Sequence, residues 1–288
     1  MTVEHILRQL GLRAEDHDDL HVTRMLGTFV AVSHGKVIAM GEPTLRHCPL
    51  FRTLYRGQDT GDTEALKQSI RAAIEDKITR FGSFTHLREL QRDDIAIPYG
   101  ASEMMMYALR KGAVDCTVTV CDGAGTVVSA SPDLVQGIGA RMNGLFYTTP
   151  VDAVIEGIHR HGGTVVFAET ADIDQPAGVA EAARLGYGSA AVTVNGCAGG
   201  DQAALCAAAK RHGIEVTVIS VCTTGAGEEN IRSMVEHADL VWSCGSTEVR
   251  EVVGSKAILQ ITAAIPVFVL TPAGLRFASA YSSGPEIL

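Results

Sequence analysis

The stretch Val216-Thr-Val-Ile-Ser-Val-Cys222-Thr-Thr-Gly-Ala-Gly227 decides the fold class. An uncharged run rich in β-branched residues stops at a cysteine, and small polar residues and glycine follow. Such a run, bounded by glycine, reads as a strand buried on both faces and ending in a tight turn. Three other segments share the form: Cys116-Thr-Val-Thr-Val-Cys121-Asp-Gly-Ala-Gly125, Ala191-Val-Thr-Val-Asn-Gly-Cys197 and Leu240-Val-Trp-Ser-Cys244-Gly-Ser-Thr247. Between them lie helical patterns at 102–111, 151–160, 176–185, 201–211 and 228–237, most of them stopped by glycine (Gly112, Gly162, Gly186, Gly213). A further helix is expected over 249–263, then a last strand over 267–270. Alternation of this kind predicts an α/β fold with a mostly parallel sheet and right-handed crossovers.

Working outward, 26–40 reads as an N-terminal β-hairpin turning at His34-Gly35. A helix begins at Asp62 and ends at Gly82. The glycine-rich 136–144 segment is read as a connector between two lobes, 1–150 and 151–288, with one compact domain as the alternative. In open α/β sheets ligands collect at the carboxyl ends of strands. The active site is therefore expected there, between the lobes.

The chain has 288 residues, is 46% hydrophobic, and carries a net charge of −9, which argues against a nucleic-acid partner. An anionic small substrate remains compatible, because a local arginine pocket can sit in an acidic surface. No apolar run is long enough to span a bilayer, and the N-terminus lacks the apolar core of a signal peptide. A cytoplasmic location is expected, and homo-oligomerisation is left open. Seven cysteines, an odd number with no Cys-x-x-Cys pair, do not form a disulfide framework or a zinc ribbon. Buried packing, a nucleophile, or a metal site assembled from distant segments remain.

Several strings, among them His47-Cys48-Pro-Leu-Phe51, Gly100-Ala-Ser-Glu103-Met, Cys121-Asp-Gly-Ala-Gly-Thr-Val127 and Gln136-Gly-Ile-Gly-Ala-Arg141-Met, resemble methanogenesis marker protein 8. The resemblance runs from about His21 to Gly274. That family has bacterial members and no known activity, so the resemblance implies no catalytic residue.

Cys121, Cys222 and Cys244 end strands, and Cys48 sits in a polar loop. Cys121, Cys222 and Cys244, or Cys48 in place of one, are the expected ligands of an iron–sulfur cluster, of the 4Fe-4S type with one open iron. Cys197 lies deeper in its turn and is the weaker candidate, while Cys116 and Cys206 read as packing. A cluster-free alternative makes Cys121 a nucleophile, its Asp122-Gly-Ala-Gly125 turn opening a helix, with His47, His34 or His237 as base. Glu103 is a general-base candidate, although a role at the start of its helix competes. Arg24, Arg46 and Arg141 are candidates for gripping a substrate carboxylate, and Ser246 and Thr247 for lining the same edge. The glycine turns complete no nucleotide motif. The expectation is a non-redox iron–sulfur enzyme acting on a small carboxylate-bearing molecule. Desulfuration leads and hydro-lyase chemistry follows. A cluster carrier or assembly factor is the non-enzymatic alternative.

Overall fold

Two sheets share the molecule, and each buries both of its faces. The structure is a computed structural model and describes residues 2–46, 48, 51, 62–199, 202–263 and 265–282. The N-terminal part holds helix α1 (Val3–Gln9) and strands β1 (His21–Met25), β2 (Thr28–Ser33) and β3 (Lys36–Met40). With the later strand β6 (Leu145–Thr148) they form an antiparallel sheet ordered β3-β2-β1-β6. The expected hairpin is β2–β3: Ser33 pairs with Lys36, and His34 and Gly35 both adopt positive φ, as a type I′ turn requires. The Asp19 carboxylate accepts the His34 N–H at 2.9 Å and ties the turn to the preceding connector.

The pleat of β2 sends alternate residues to opposite layers. Val30 and Val32 pack against Leu66, Ile70 and Ile74 of α2 (Thr63–Phe81). Ala31 packs with Ile6 and Leu7 of α1. The Asp62 side chain caps α2 by accepting the Glu64 N–H, and Gly82 ends it at φ +62.

The larger sheet contains β4 (Cys116–Cys121), β5 (Gly125–Ser129), β7 (Gly163–Val165), β8 (Ser189–Asn195), β9 (Glu215–Val221), β10 (Leu240–Trp242), β11 (Leu259–Ile261) and β12 (Val267–Val269). Its order is β11-β12-β10-β9-β8-β4-β5-β7. Only β4, β8, β9 and β10 run parallel to their neighbours in the ladder, and β5, β7, β11 and β12 add antiparallel pairings on the two sides. The sheet is thus mixed, where a mostly parallel one was expected. Connection length is the reason: residues 122–124 between β4 and β5 are too few for a crossover, so the chain must fold straight back. Strands of this sheet come from both sides of residue 150.

Helices cover both faces of the sheet. Val192, Val218 and Val241 face α6 (Gln175–Arg184), α7 (Gln202–His212), α8 (Glu228–His237) and α9 (Thr247–Val252). Ala191, Ile219 and Leu240 face α3 (Ala101–Arg110) and α10 (Pro272–Ser282). The 136–144 segment, expected to be a connector, contains the end of α4 (Pro132–Gly139). That helix packs with α5 (Asp152–Arg160) over the β5 end of the sheet. The helix expected over 249–263 stops at Val252, because Gly254 lies against the Phe268 ring and the chain then enters β11. Among the described residues no helix is long and apolar enough to cross a membrane.

Candidate functional site

A cavity of about 600 Å³ opens where the end of β1 and the residues entering β6 meet the carboxyl ends of β8, β9 and β10. The start of α3 closes one side. Among the described residues eight non-glycine positions have positive φ, and five of them line this cavity: Leu26, Tyr99, Arg141, Cys222 and Thr262. Backbone held in the left-handed region costs about 1–3 kcal/mol per residue and gathers at functional sites.

Three of the four expected ligand cysteines line the cavity: Cys48, Cys222 and Cys244. Cys222 follows β9 directly, at φ +54. Burial pushes its thiol up to about 11, opposed by the Gly144 N–H, which donates to the sulfur, and by Arg24. Burial also pushes the Cys244 thiol far above its ordinary value, and the proximity of Cys222 and Cys48 adds to this. The Thr223 N–H and Arg250 oppose it. The Cys244 sulfur thus lies within electrostatic reach of those of Cys222 and Cys48, and Cys222 within reach of Cys197; a main-chain N–H faces Cys222 and another faces Cys244. Among the described residues no three His, Cys, Asp or Glu side chains are arranged to hold a single metal ion.

Cys121 is not in this group. It is still paired in the ladder, opposite Gly125, so the pleat fixes its direction. It points into a fully buried cluster with Leu134 and Ile138 of α4 and Val154 of α5. Burial and the Asp122 carboxylate drive its thiol strongly upward. The turn after it leads into β5 and opens no helix, which removes the geometry proposed for a nucleophile. Asp122 instead forms a buried ion pair with Arg88, Nε to Oδ1 at 2.9 Å.

Cys197, the weaker candidate by sequence, lies beside the cavity without lining it. The Arg24 Nη1 donates to its sulfur at 2.7 Å and also to the Thr224 carbonyl. The Asn195 side chain accepts the N–H groups of Cys197 and Ala198, both at 3.2 Å, and so shapes the turn. Among the described residues, Arg24 Nε, Thr119 Oγ1 and Asn195 Nδ2 are buried polar atoms without a partner on residues that line the cavity. An unmet buried donor costs about 1–3 kcal/mol, so keeping several beside one cavity is a standing cost to the fold. Gly144 stands between them: a Cβ there would lie 2.8 Å from Asn195 Nδ2 and 3.3 Å from the Cys222 sulfur.

The other expected residues divide. Arg141 lines the cavity at φ +61, its guanidinium 5.1 Å from the Phe81 ring centre. Glu103 also lines it, but its carboxylate is saturated. Oε1 accepts from Ala96 N, Ile97 N and Gln136 Nε2 at 3.1, 3.0 and 3.2 Å, and Oε2 accepts from Ser102 Oγ at 3.0 Å. From the first turn of α3, where complementing the helix dipole was the expected structural role, it pins the 95–97 loop to the helix. Arg46 is exposed and donates to Thr63 Oγ1, away from the cavity. His47 lies outside the described residues. Ser246 caps α9, accepting the Val249 N–H, and Thr247 is exposed in its first turn; neither lines the cavity.

Lys77, which the sequence reading passed over, lies behind the site. It is 1% exposed, and its ammonium donates to the Asn143 side chain beside Gly144. Burial lowers its pKa to about 7, with Asp122 and Cys222 opposing and Arg88 reinforcing. The signal was present: Leu66, Ile70, Ala73, Ile74 and Lys77 form one stripe at helical spacing.

Residues 21–280 match the family described as uncharacterized protein conserved in archaea (DUF2099). The chain is also 37% identical over 257 residues to the uncharacterized protein MJ0054 of Methanocaldococcus jannaschii, a match covering 89% of this chain and 88% of that relative. No solved structure matches. These descriptions name no activity.

Proposed function

The chain belongs to that uncharacterized family, and from this premise we propose that it is an enzyme holding a four-iron iron–sulfur cluster on Cys48, Cys222 and Cys244. One observation carries the reading. Thiols from three separate turns line one cavity, and two of them take a main-chain N–H. Thiolates are the usual cluster ligands, and N–H groups aimed at ligand sulfurs tune such clusters. A cluster is wider than a single ion, so its ligands stand further apart than a one-metal site demands.

Bound there, the cluster supplies an iron without a protein ligand, a Lewis acid for a substrate oxygen or sulfur. The chain's own residues do the rest. Arg24 and Arg141 hold the carboxylate of a small anionic substrate. Asn195 Nδ2 and Thr119 Oγ1 offer further hydrogen bonds. The reaction we favour is hydrolytic desulfuration: a water oxygen bonds to carbon, the carbon–sulfur bond breaks with its pair going to sulfur, and the proton lost by the water joins the departing hydrosulfide to give hydrogen sulfide. No oxidant or reductant is needed. Elimination of water is the second class suited to the same site.

Anaerobic purification with iron and acid-labile sulfide analysis tests this. About four irons per chain are expected. Protein that stays iron-free after anaerobic reconstitution sinks the proposal. One contact favours a cluster-free reading: Arg24 lies against the Cys197 sulfur, an arrangement used by nucleophilic cysteines. Colourless protein whose activity disappears in Cys197→Ser would establish that alternative.

A further inference from the structure

One group of the cavity's polar side chains stands around Gly144 and the turn after β8. Arg24 touches Cys197, while Asn195 and Cys222 both stand around Gly144. Most of the remaining wall is apolar. Met105, Trp242, Ile265 and Val267 line it from the hydrophobic layer beneath α3 and α10. The Trp242 indole N–H is already donated to the Tyr99 carbonyl at 3.0 Å, so that residue has no hydrogen bond left for a ligand. A short carboxylate occupies only a few water volumes, about 30 Å³ each. A cavity of about 600 Å³ is the size that takes ligands with a substantial apolar part.

We infer that the ligand is an amphipathic anion, its charged head among Arg24, Asn195 and Cys222 and an apolar body lying against Met105, Trp242 and Ile265. The body is on the order of ten carbons. The inference rests on the proposed function only for the position of the head. It replaces a merely small carboxylate with one whose tail carries much of the affinity.

Trp242 is the chain's single tryptophan, so it reports directly on the apolar wall. Protein isolated under anaerobic conditions, with and without its metal removed, is titrated with acetate, hexanoate and decanoate while Trp242 emission is followed. Dissociation constants are expected to fall by about threefold to fourfold per added methylene. Ile265→Asn is expected to weaken decanoate at least tenfold and to leave acetate unchanged. Equal affinities for acetate and decanoate overturn the inference, as does decanoate binding that leaves Trp242 emission unchanged. The two proposals fail separately. Iron-free protein that keeps the chain-length dependence loses the cluster alone, and iron-loaded protein without that dependence loses the amphipathic ligand alone.

Discussion

The Arg24 guanidinium donates to the Cys197 sulfur at 2.7 Å, joining residues 173 positions apart in the chain. The contact locks the end of β1 onto the turn after β8, and it leaves Nε buried without a partner. A lysine carries its three donors on one point-like ammonium, so it cannot reproduce the planar spread by which arginine meets Cys197 and the Thr224 carbonyl and grips an anion bidentately. Arg24→Lys is expected to weaken binding of an anionic ligand at least tenfold, with a stability loss of about 1 kcal/mol. Paired ligand titration and urea unfolding check both numbers.

Cys121 separates packing from ligation. Cys121→Ala should keep its iron and lose about 1–2 kcal/mol of stability, because it truncates a buried side chain without touching the cavity. Cys48→Ala, Cys222→Ala and Cys244→Ala should each lose iron and colour. Full iron in all three variants would remove the ligand assignment.

Gly144→Ala tests the cradle. The added methyl would press on Asn195 Nδ2 and the Cys222 sulfur. We expect iron content to fall by at least half, while circular dichroism remains that of the parent. Unchanged iron would mean that the sulfur can move aside freely.

Lys77 predicts a pH effect in metal-free protein. Its folded pKa is lowered to about 7, while an unfolded lysine holds its proton to about 10.4. Between those values the unfolded chain binds more protons, so stability rises with pH, by at most about 1.4 kcal/mol per unit. The thiols oppose this from about pH 8.5, where unfolded cysteines begin to ionise, because burial holds the folded pKa of Cys222 near 11 and of Cys116 near 12. The clean window is therefore pH 7 to about 8.5. Lys77→Met should flatten the slope there, and it should exceed the parent in stability at pH 6.5. A parent slope of zero across this window would refute the lowered pKa.

The repeating helices and strands were legible because glycine stops and β-branched runs mark them locally, and because His34-Gly35 has the chemistry of a two-residue turn. Pairing direction was less so. Cys121-Asp-Gly-Ala-Gly125 suits a strand-to-helix turn and a hairpin equally, and only contact with β7 and residues 171–172 settles which forms. At the site, Cys222 and Cys244 were readable as strand-end residues lying past the ladder, free to turn toward a cavity. Cys121 shares their sequence form but sits one step earlier, inside the ladder, where the pleat decides its direction. Ser246 and Glu103 were singled out for chemistry, yet their hydrogen-bonding capacity is used by nearby backbone. Arg24 meeting Cys197 depends on the small sheet closing over the large one, which no local pattern encodes.

The left-handed backbone at Cys222 has a practical corollary for anyone improving this protein's robustness. Glycine would adopt that conformation at no steric cost, so Cys222→Gly should recover part of the 1–2 kcal/mol that a side chain forfeits there. The same exchange would strip the cavity of a sulfur. Under the proposed function, screens that select only for heat resistance are drawn toward protein lacking a cluster ligand at this position, and a selection that also reads iron content is needed to keep it.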